Sequence, residues 1–322
     1  MPIYCELHMD VVLVNWNAGP QLAEAVTSIA QHHHNLVSSV IIIDNASIDD
    51  SLAQVEAFTG LPFQLQIIRN ADNRGFGAAC NQGAAMATED YLLFLNPDTC
   101  LLENSLSAPL SFMEQPENTG VGICSIQLLD ESGRVARSCA RFPSLGIFLA
   151  QVLGLNKLPG FRSLGQQMAE WDHSGGTRDV DQVIGAFFLV RRSVFESLGG
   201  FDERFFVYFE EVDFSLRARQ AGWRTVYLTE AQTFHAGGGT SRQVKAKRLF
   251  YSLRSRLLYG FKHFSKLNAW LLLLITITVE PCARLALALS RRSSGEASNT
   301  LSAYRMLLTS IPRIIIKYQE GI

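Results

Sequence analysis

Tyr91-Leu92-Leu93-Phe94-Leu95 runs without a charge and stops at Asn96-Pro97-Asp98-Thr99. Five such residues in a row read as a fully buried strand, central in a parallel sheet. Pro97 has no N–H to give a ladder, so the strand ends there. Asp98 therefore stands just past the carboxyl end of a buried strand, where open α/β sheets bind ligands. A carboxylate at that place, followed by Thr99, is suited to hold a divalent cation. Three more polar clusters follow apolar runs in the same manner: Asn15 and Asn17 after 11–14, Asp44, Asn45 and Ser47 after 40–43, and Asn70 and Asn73 after 63–68. In a parallel sheet all four clusters share one edge. Asn, Asp and Ser favour turns for local reasons, but four coincident clusters exceed what turn chemistry requires.

The elements that must position these residues follow from the periodicity. Strands at 11–14, 40–43, 63–68 and 91–95 alternate with helical stretches at 21–31, 49–58, 76–87 and 102–113. That alternation predicts βαβ units with right-handed crossovers, hence an α/β fold with a mostly parallel central sheet flanked by helices. A strand is expected at 121–127, and 128–181 shows no sustained period and reads as a loop-rich insertion. A strand at 185–190, a short helix at 193–198 stopped by Gly199-Gly200, and an aromatic patch at 205–209 come next. Residues 210–221 read as a helix ended by Gly222, with Asp213 and Arg217 spaced to pair along it. The last strand is expected at 224–228, and 235–240 as a flexible glycine-rich loop. His32-His33-His34 reads as a solvated helix end, since no acidic partner is adjacent.

The expected organisation is one domain over 1–242, with halves of about 1–127 and 128–242, and a helical tail over 243–322. In that tail 243–264 is basic and aromatic, 270–279 is uncharged before Glu280-Pro281, and 299–318 is amphipathic. A span needs roughly 20 apolar residues. The shorter run, with Trp270 and Lys/Arg flanks, predicts a helix lying at a membrane surface, or else a helical hairpin packed on the domain.

Composition removes several classes. With 48% hydrophobic and 18% charged residues the chain is globular, and a net charge of −2 argues against an electrostatic nucleic-acid binder. The six cysteines are scattered with no C-x-x-C pair, which fits neither a zinc site nor a disulfide framework and points to a reducing compartment. Residues 1–10 lack the basic-then-apolar order of a secretory signal.

Taken in order, several short motifs make a specific pattern. They are Val12-Leu13-Val14-Asn15-Trp16-Asn17, Ile43-Asp44-Asn45-Ala46-Ser47-Ile48-Asp49, and Asn70-x-x-Asn73-x-Gly75-Phe76-Gly77-x-x-x-Asn81-x-Gly83. Leu95-Asn96-Pro97-Asp98, Gly199-Gly200-Phe201-Asp202-Glu203-x-Phe205-Phe206, Glu210-Glu211-Val212-Asp213 and His235-x-Gly237-Gly238 complete them. From about 11 to 241 the chain resembles the inverting family-2 glycosyltransferases of GT-A fold, and most of all a bacterial rhamnosyltransferase-like branch.

The resemblance implies a metal-dependent transfer of a sugar, L-rhamnose among the candidates, from a dTDP- or UDP-linked donor to a glycan or lipid-linked acceptor in cell-surface polysaccharide synthesis. Asp98 resembles the last carboxylate of the family's D-x-D motif, with Asn96 in place of the first. His235 matches the family's downstream histidine and so becomes a second ligand for Mn2+ or Mg2+, the imidazole tilting the choice toward manganese. Glu211 takes the place of the Asp in the family's Glu-Asp pair and becomes the general base, with Glu210 and Asp213 as alternatives; helix pairing with Arg217 already explains Asp213, and helix N-terminal charge complementarity explains Glu210. Asp44 resembles the carboxylate that reads the nucleoside. Asn15, Asn17, Asn45, Asn73, Asn81 and Asn96 join it in the nucleotide-sugar pocket, where Gly75 and Gly77 allow close backbone approach. Phe206, Phe209 and Trp223 are candidates for an acceptor platform. The location implied is cytoplasmic, at the inner face of the cell membrane, with peripheral contact through the tail.

Two other classes fit parts of the sequence. Gly75-Phe76-Gly77 opening a helix after a strand suggests a dinucleotide-dependent oxidoreductase, but that fingerprint belongs after the first strand, and its third glycine is Cys80 here. A nucleotide-sugar-binding relative with little turnover remains open, because Glu211 and the lone Asp98 depart from the family's pattern.

Overall fold

The structure, a computed structural model, describes residues 8–161, 164, 175–237 and 244–319. β1 (Met9–Asn15), α1 (Gln21–His32), β2 (Val37–Asp44), α2 (Ser51–Glu56), β3 (Gln64–Arg69), α3 (Phe76–Ala84) and β4 (Tyr91–Leu95) make the expected βαβ units, with β3, β2, β1 and β4 parallel and in that order. Then come β5 (Thr99–Leu101), α4 (Ser107–Met113), β6 (Val121–Leu129), β7 (Val135–Ala136), β8 (Cys139–Ala140), α5 (Leu145–Val152), β9 (Arg178–Val180), β10 (Gln182–Val183) and β11 (Phe187–Arg191). α6 (Arg192–Ser197), α7 (Glu210–Gln220), β12 (Arg224–His235), α8 (Lys245–His263), α9 (Lys266–Ser290) and α10 (Ser294–Gln319) complete the described chain. The main sheet runs β3-β2-β1-β4-β11-β6-β12-β5. β11 is antiparallel to β4 and β6, and β5 is antiparallel to β12, so β6 and β12 point the same way as β4.

Contacts divide the chain into two compact units, and the division is not a single cut at 242. One comprises the segments up to 141, 170–203 and 210–240; the other comprises 142–169, 204–209 and 241–322.

In the first unit, alternation along β1 feeds two cores. Met9, Val11 and Leu13 meet Leu22, Val26 and Ile29 of α1 on one face of the sheet, and Val12 and Val14 join Ala79 and Cys80 of α3 on the other. α3 lies so close to β1 that a Cβ on Gly83 would stand 2.4 Å from Val12 Cγ1. That approach explains why α3 is built of Gly, Ala and Cys. Phe94, Phe188, Phe195, Phe201 and Phe214 pack ring against ring on the same face, with centroids 5.0–6.5 Å apart.

Several boundaries differ from the sequence expectation. A short strand, β5, precedes α4, because Thr99–Leu101 finds a partner in the end of β12. β12 extends to His235, seven residues past the expected end, since Thr233 and Phe234 pair with β6 on one side and β5 on the other. His235 is thus a strand residue rather than part of a loop; Gly238 and Gly239 lie outside the described residues. Among its described residues the stretch read as loop-rich contains α5 and three short strands, β7, β8 and β9. His33 is buried, with its Nε2 2.8 Å from the Leu102 carbonyl, while its two histidine neighbours are exposed.

The second unit is helical. Phe209 packs against Phe148 of α5 and Tyr259 of α8, Arg254 donates to the Arg204 carbonyl at 2.9 Å, and Ser255 donates to that of Val207 at 2.8 Å. α5 and the segment 204–209 are therefore structural partners of α8. α9 continues through Pro281 for 25 residues, although a helix-interior proline costs about 3 kcal/mol. Glu280 is held by Arg284 at 2.8 Å and by Arg256, which also donates to Thr276. By length and composition alone α9 could cross a membrane.

Candidate active site

The parallel register brings the strand-end clusters together. Asn15 and Asp44 are paired residues at the ends of β1 and β2, and the Asn15 amide donates to Asp44 Oδ1 at 2.8 Å and to the Ser47 and Ser51 hydroxyls at 3.0 and 2.9 Å. Ser47 N–H donates to the second Asp44 oxygen at 3.2 Å. Asn15 is 0% exposed and cannot touch a ligand; it orients Asp44, which is 5% exposed at the floor of the edge. This corrects the expectation that Asn15 lines the pocket. Asn45 is likewise buried. It donates to the Gly75 carbonyl at 3.1 Å and accepts from Asn70 at 2.9 Å, so it fixes the loop ahead of α3 instead of facing solvent. Asn17, at φ 53°, accepts from Ile48 N–H at 2.7 Å, and its own N–H donates to Ser47. Asn73 accepts from Gly75 N–H at 2.9 Å, and Gly75 adopts φ 89°, a conformation that favours glycine. Gly77 is buried in the first turn of α3.

Asn81 is another scaffold residue. Its amide donates to the Phe201 carbonyl at 2.8 Å and to Glu203 at 3.1 Å, and its carbonyl accepts from Phe201 N–H at 2.9 Å. A Cβ on Gly200, which has φ 73°, would lie 2.6 Å from the Asn81 carbonyl oxygen. Arg217 secures the same turn, donating to the Leu198 and Gly200 carbonyls at 2.7 Å each while pairing with Asp213 at 2.8 Å. Asp213 is 0% exposed and its carboxylate serves Arg217. It is therefore a structural ion pair and not an accessible base.

Asp98 and His235 meet. β5 pairs with β12 so that Thr99 faces His235, and Ala236 N–H donates to the Asp98 carbonyl at 3.0 Å. His235 Nε2 then lies 3.3 Å from Asp98 Oδ1, with 14% and 11% of the two side chains open. Asn96 N–H donates to the Ala186 carbonyl at 3.0 Å, which ties the Asn96-Pro97-Asp98 turn to the residue before β11. Among the described residues no third His, Cys, Asp or Glu joins the pair. A carboxylate oxygen and an imidazole nitrogen at this spacing fit a divalent cation that takes further ligands from phosphate and water.

Glu210 and Glu211 reach the same edge by topology. β12 begins at the opposite edge, so α7, which precedes it across the Gly222 turn, has its N-terminus at the edge that carries Asp98. Glu210 is 4% exposed and its Oε2 has no hydrogen-bond partner among the described residues. Burial first, and the Glu211 charge second, hold its carboxyl well above the usual carboxylate range. Burial thus works against the favourable helix-terminal field at Glu210. The buried Cys80 thiol of α3 is pushed up, chiefly by its own burial, with the nearby Glu210 and Glu211 adding to the rise.

Of the three acceptor candidates, Trp223 lies away from the strand ends. Trp223 precedes β12 at the opposite edge and packs on Gly122, where a Cβ would lie 3.0 Å from it; its role is packing, and an acceptor platform at the strand ends excludes it. Phe206 stacks on Tyr251 at 4.6 Å, and Phe209 packs as described, both within the second unit. Ser47 and Asn70, members of the strand-end clusters, complete the polar network together with Ser51 at the start of α2, which no sequence signal marks.

This chain belongs to glycosyl transferase family 2, whose family profile matches residues 10–199, and it is a glycosyltransferase. It is 29% identical over 242 residues, 70% of this chain and 75% of the relative, to an N-acetylglucosaminyl-diphospho-decaprenol L-rhamnosyltransferase of Mycobacterium tuberculosis. It is also 29% identical over 177 residues to rhamnosyltransferase WbbL of Escherichia coli, covering 54% of this chain and 62% of that one. Its fold is the GT-A fold: a mannosyltransferase of Pyrobaculum calidifontis, solved with GDP-Man and Mn2+, superposes with TM-score 0.57 at 15% identity, over 95% of this chain and 88% of the other.

Proposed function

We propose that the protein transfers a sugar, with inversion and in a divalent-cation-dependent manner, from a nucleoside-diphosphate sugar to a hydroxyl of a glycan or lipid-linked acceptor in cell-surface polysaccharide synthesis. The rhamnosyltransferase names of its relatives favour L-rhamnose as the sugar, and the resemblance in sequence implies dTDP or UDP as its carrier. The observation that carries the reading is the Asp98–His235 pair at 3.3 Å, on the sheet edge that also bears Asp44 and the α7 N-terminus.

In this mechanism Asp44, oriented by Asn15 and Ser47, accepts hydrogen bonds from the nucleoside. The backbone around Gly75 approaches the donor closely. Asp98 and His235 would hold Mn2+ or Mg2+, which supplies charge neutralisation for the departing diphosphate. Glu211 takes the proton of the acceptor hydroxyl as its oxygen bonds to the anomeric carbon; the bond from that carbon to the phosphate oxygen breaks on the opposite face and its electron pair leaves with the nucleoside diphosphate. Burial pushes the Glu210 carboxyl up, and Glu211 is the less buried member of the pair, which supports Glu211 as the base. The exposed apolar side chains of α9, Leu267, Leu271, Leu274 and Leu289, lie at helical spacing opposite its packed face, and with the flanking Lys266 and Arg291 they support peripheral contact with the cytoplasmic face of a membrane.

The test is donor binding by calorimetry with Mn2+ and with EDTA. Asp98→Ala should abolish both turnover and the metal-dependent part of donor affinity. Donor affinity in the unaltered protein that ignores EDTA would overturn metal dependence.

A further inference from the structure

The net charge of −2 conceals a segregation. The segments of the helical unit, 142–169, 204–209 and 241–322, carry 17 Lys and Arg against 3 Asp and Glu, a net of +14; the rest of the chain carries 11 against 27, a net of −16. α8 alone has six Lys and Arg and no acidic residue. Three of these are engaged within the unit: Arg254 with the Arg204 carbonyl, Arg256 with Thr276 and Glu280, and Lys262 over the Phe205 ring. Lys245, Lys247 and Arg248 are exposed, and among the described residues no carboxylate pairs with them.

Lys245, Arg248, Leu249 and Ser252 line one groove of about 610 Å³. Their i, i+3, i+4, i+7 spacing puts them on a single helix face, and Lys247 falls off it. Two cations, a hydroxyl and one leucine make a surface for a multiply charged phosphate joined to hydrocarbon. A lysine and an arginine on successive turns match the two phosphates of a diphosphate better than the single charge of a phosphodiester headgroup. We propose that this groove binds the diphosphate of a polyprenyl-diphosphate-linked acceptor, with the exposed leucines of α9 against the lipid phase. The inference rests on the reading of a lipid-linked acceptor, and it assigns to α8 a role apart from the donor diphosphate at Asp98 and His235.

The experiment is sedimentation of the full-length protein with three phosphatidylcholine vesicles: undoped, doped with phosphatidylglycerol, and doped with undecaprenyl diphosphate to the same total charge. The undecaprenyl diphosphate vesicles should bind at least about tenfold more tightly than the phosphatidylglycerol vesicles, the scale of one charge-assisted hydrogen-bonded contact. Lys245→Gln with Arg248→Gln should remove that preference, while Lys247→Gln keeps it. Equal binding to both doped vesicles, or an equal loss with Lys247→Gln, overturns the proposal and leaves a diffuse anionic-surface patch. Hydrolysis of the nucleotide sugar, followed in parallel, should be unchanged in the double variant. A protein that hydrolyses no nucleotide sugar yet keeps the vesicle preference would sink the transferase reading and not the groove.

Discussion

Glu210 and Glu211 share the first turn of α7, and the burial of one defines the work of the other. Two adjacent ionised carboxylates in a desolvated place repel, and burial with the neighbouring charge pushes the Glu210 carboxyl up. Glu211→Gln should lower turnover by about 10²–10⁴-fold, the range for loss of a general base, with donor affinity by calorimetry nearly unchanged. Normal turnover in that variant, with a dead Glu210→Gln, would move the base to Glu210. The raised carboxyl of Glu210 also has a stability consequence. A group whose folded-state pKa lies above its unfolded value contributes fully below the unfolded value, and that contribution is lost as pH rises through the folded one. The melting temperature of the unaltered protein should therefore fall from about pH 5 upward for this reason, and Glu210→Gln should flatten the decline.

At the scale of elements, close approach decides what α3 can be. Gly83→Ala drives a methyl to 2.4 Å from Val12 Cγ1, and overpacking of this kind costs about 1–3 kcal/mol; denaturant unfolding of that variant measures it, and no loss would mean that α3 shifts freely on β1. His33 ties the end of α1 to the chain after β5. Burial pushes its imidazole down to about 4 despite the Leu102 carbonyl, which favours the charged form. The sign is opposite to that of Glu210: the contribution of His33 is complete above its ordinary value near 6.5 and is lost as pH falls toward 4. The full shift amounts to about 3 kcal/mol. His33→Gln should remove this acid-side loss in urea titrations run between the two values.

At the scale of the whole molecule, the helical unit takes its partners from three separate stretches of chain. Phe148 needs Phe264, and Phe209 needs Tyr259. A chain cut after 243 would expose the apolar faces of α5 and of 204–209. It should aggregate or expose dye-binding surface, where a detachable tail would leave a soluble, cooperatively melting remainder. The charge segregation predicts attachment to anionic vesicles that weakens steeply between low and physiological salt, as screening requires.

The strand-end chemistry was legible from local pattern because a buried parallel strand needs an uninterrupted apolar run, and its end is marked by the first polar residues. Asp44, Asp98 and the helix opened by Glu210 were visible on that ground, and β1 to β4 and α7 followed from the same periodicity. Side-chain direction at the edge was not legible. Asn15 and Asn45 look like pocket residues in sequence, but the register turns both inward to support Asp44 and Gly75. The length of β12 was also hidden, since residues 229–235 become strand only when β5 and β6 supply ladders from far along the chain. That pairing alone brings His235 to Asp98 across 137 residues of sequence. Trp223 and Asp213 carry the residue types of a site, and tertiary structure assigns one to packing at the far edge and the other to a buried ion pair. Local hydrophobic period determines elements; non-local hydrogen bonding and burial decide which of their polar residues face a ligand.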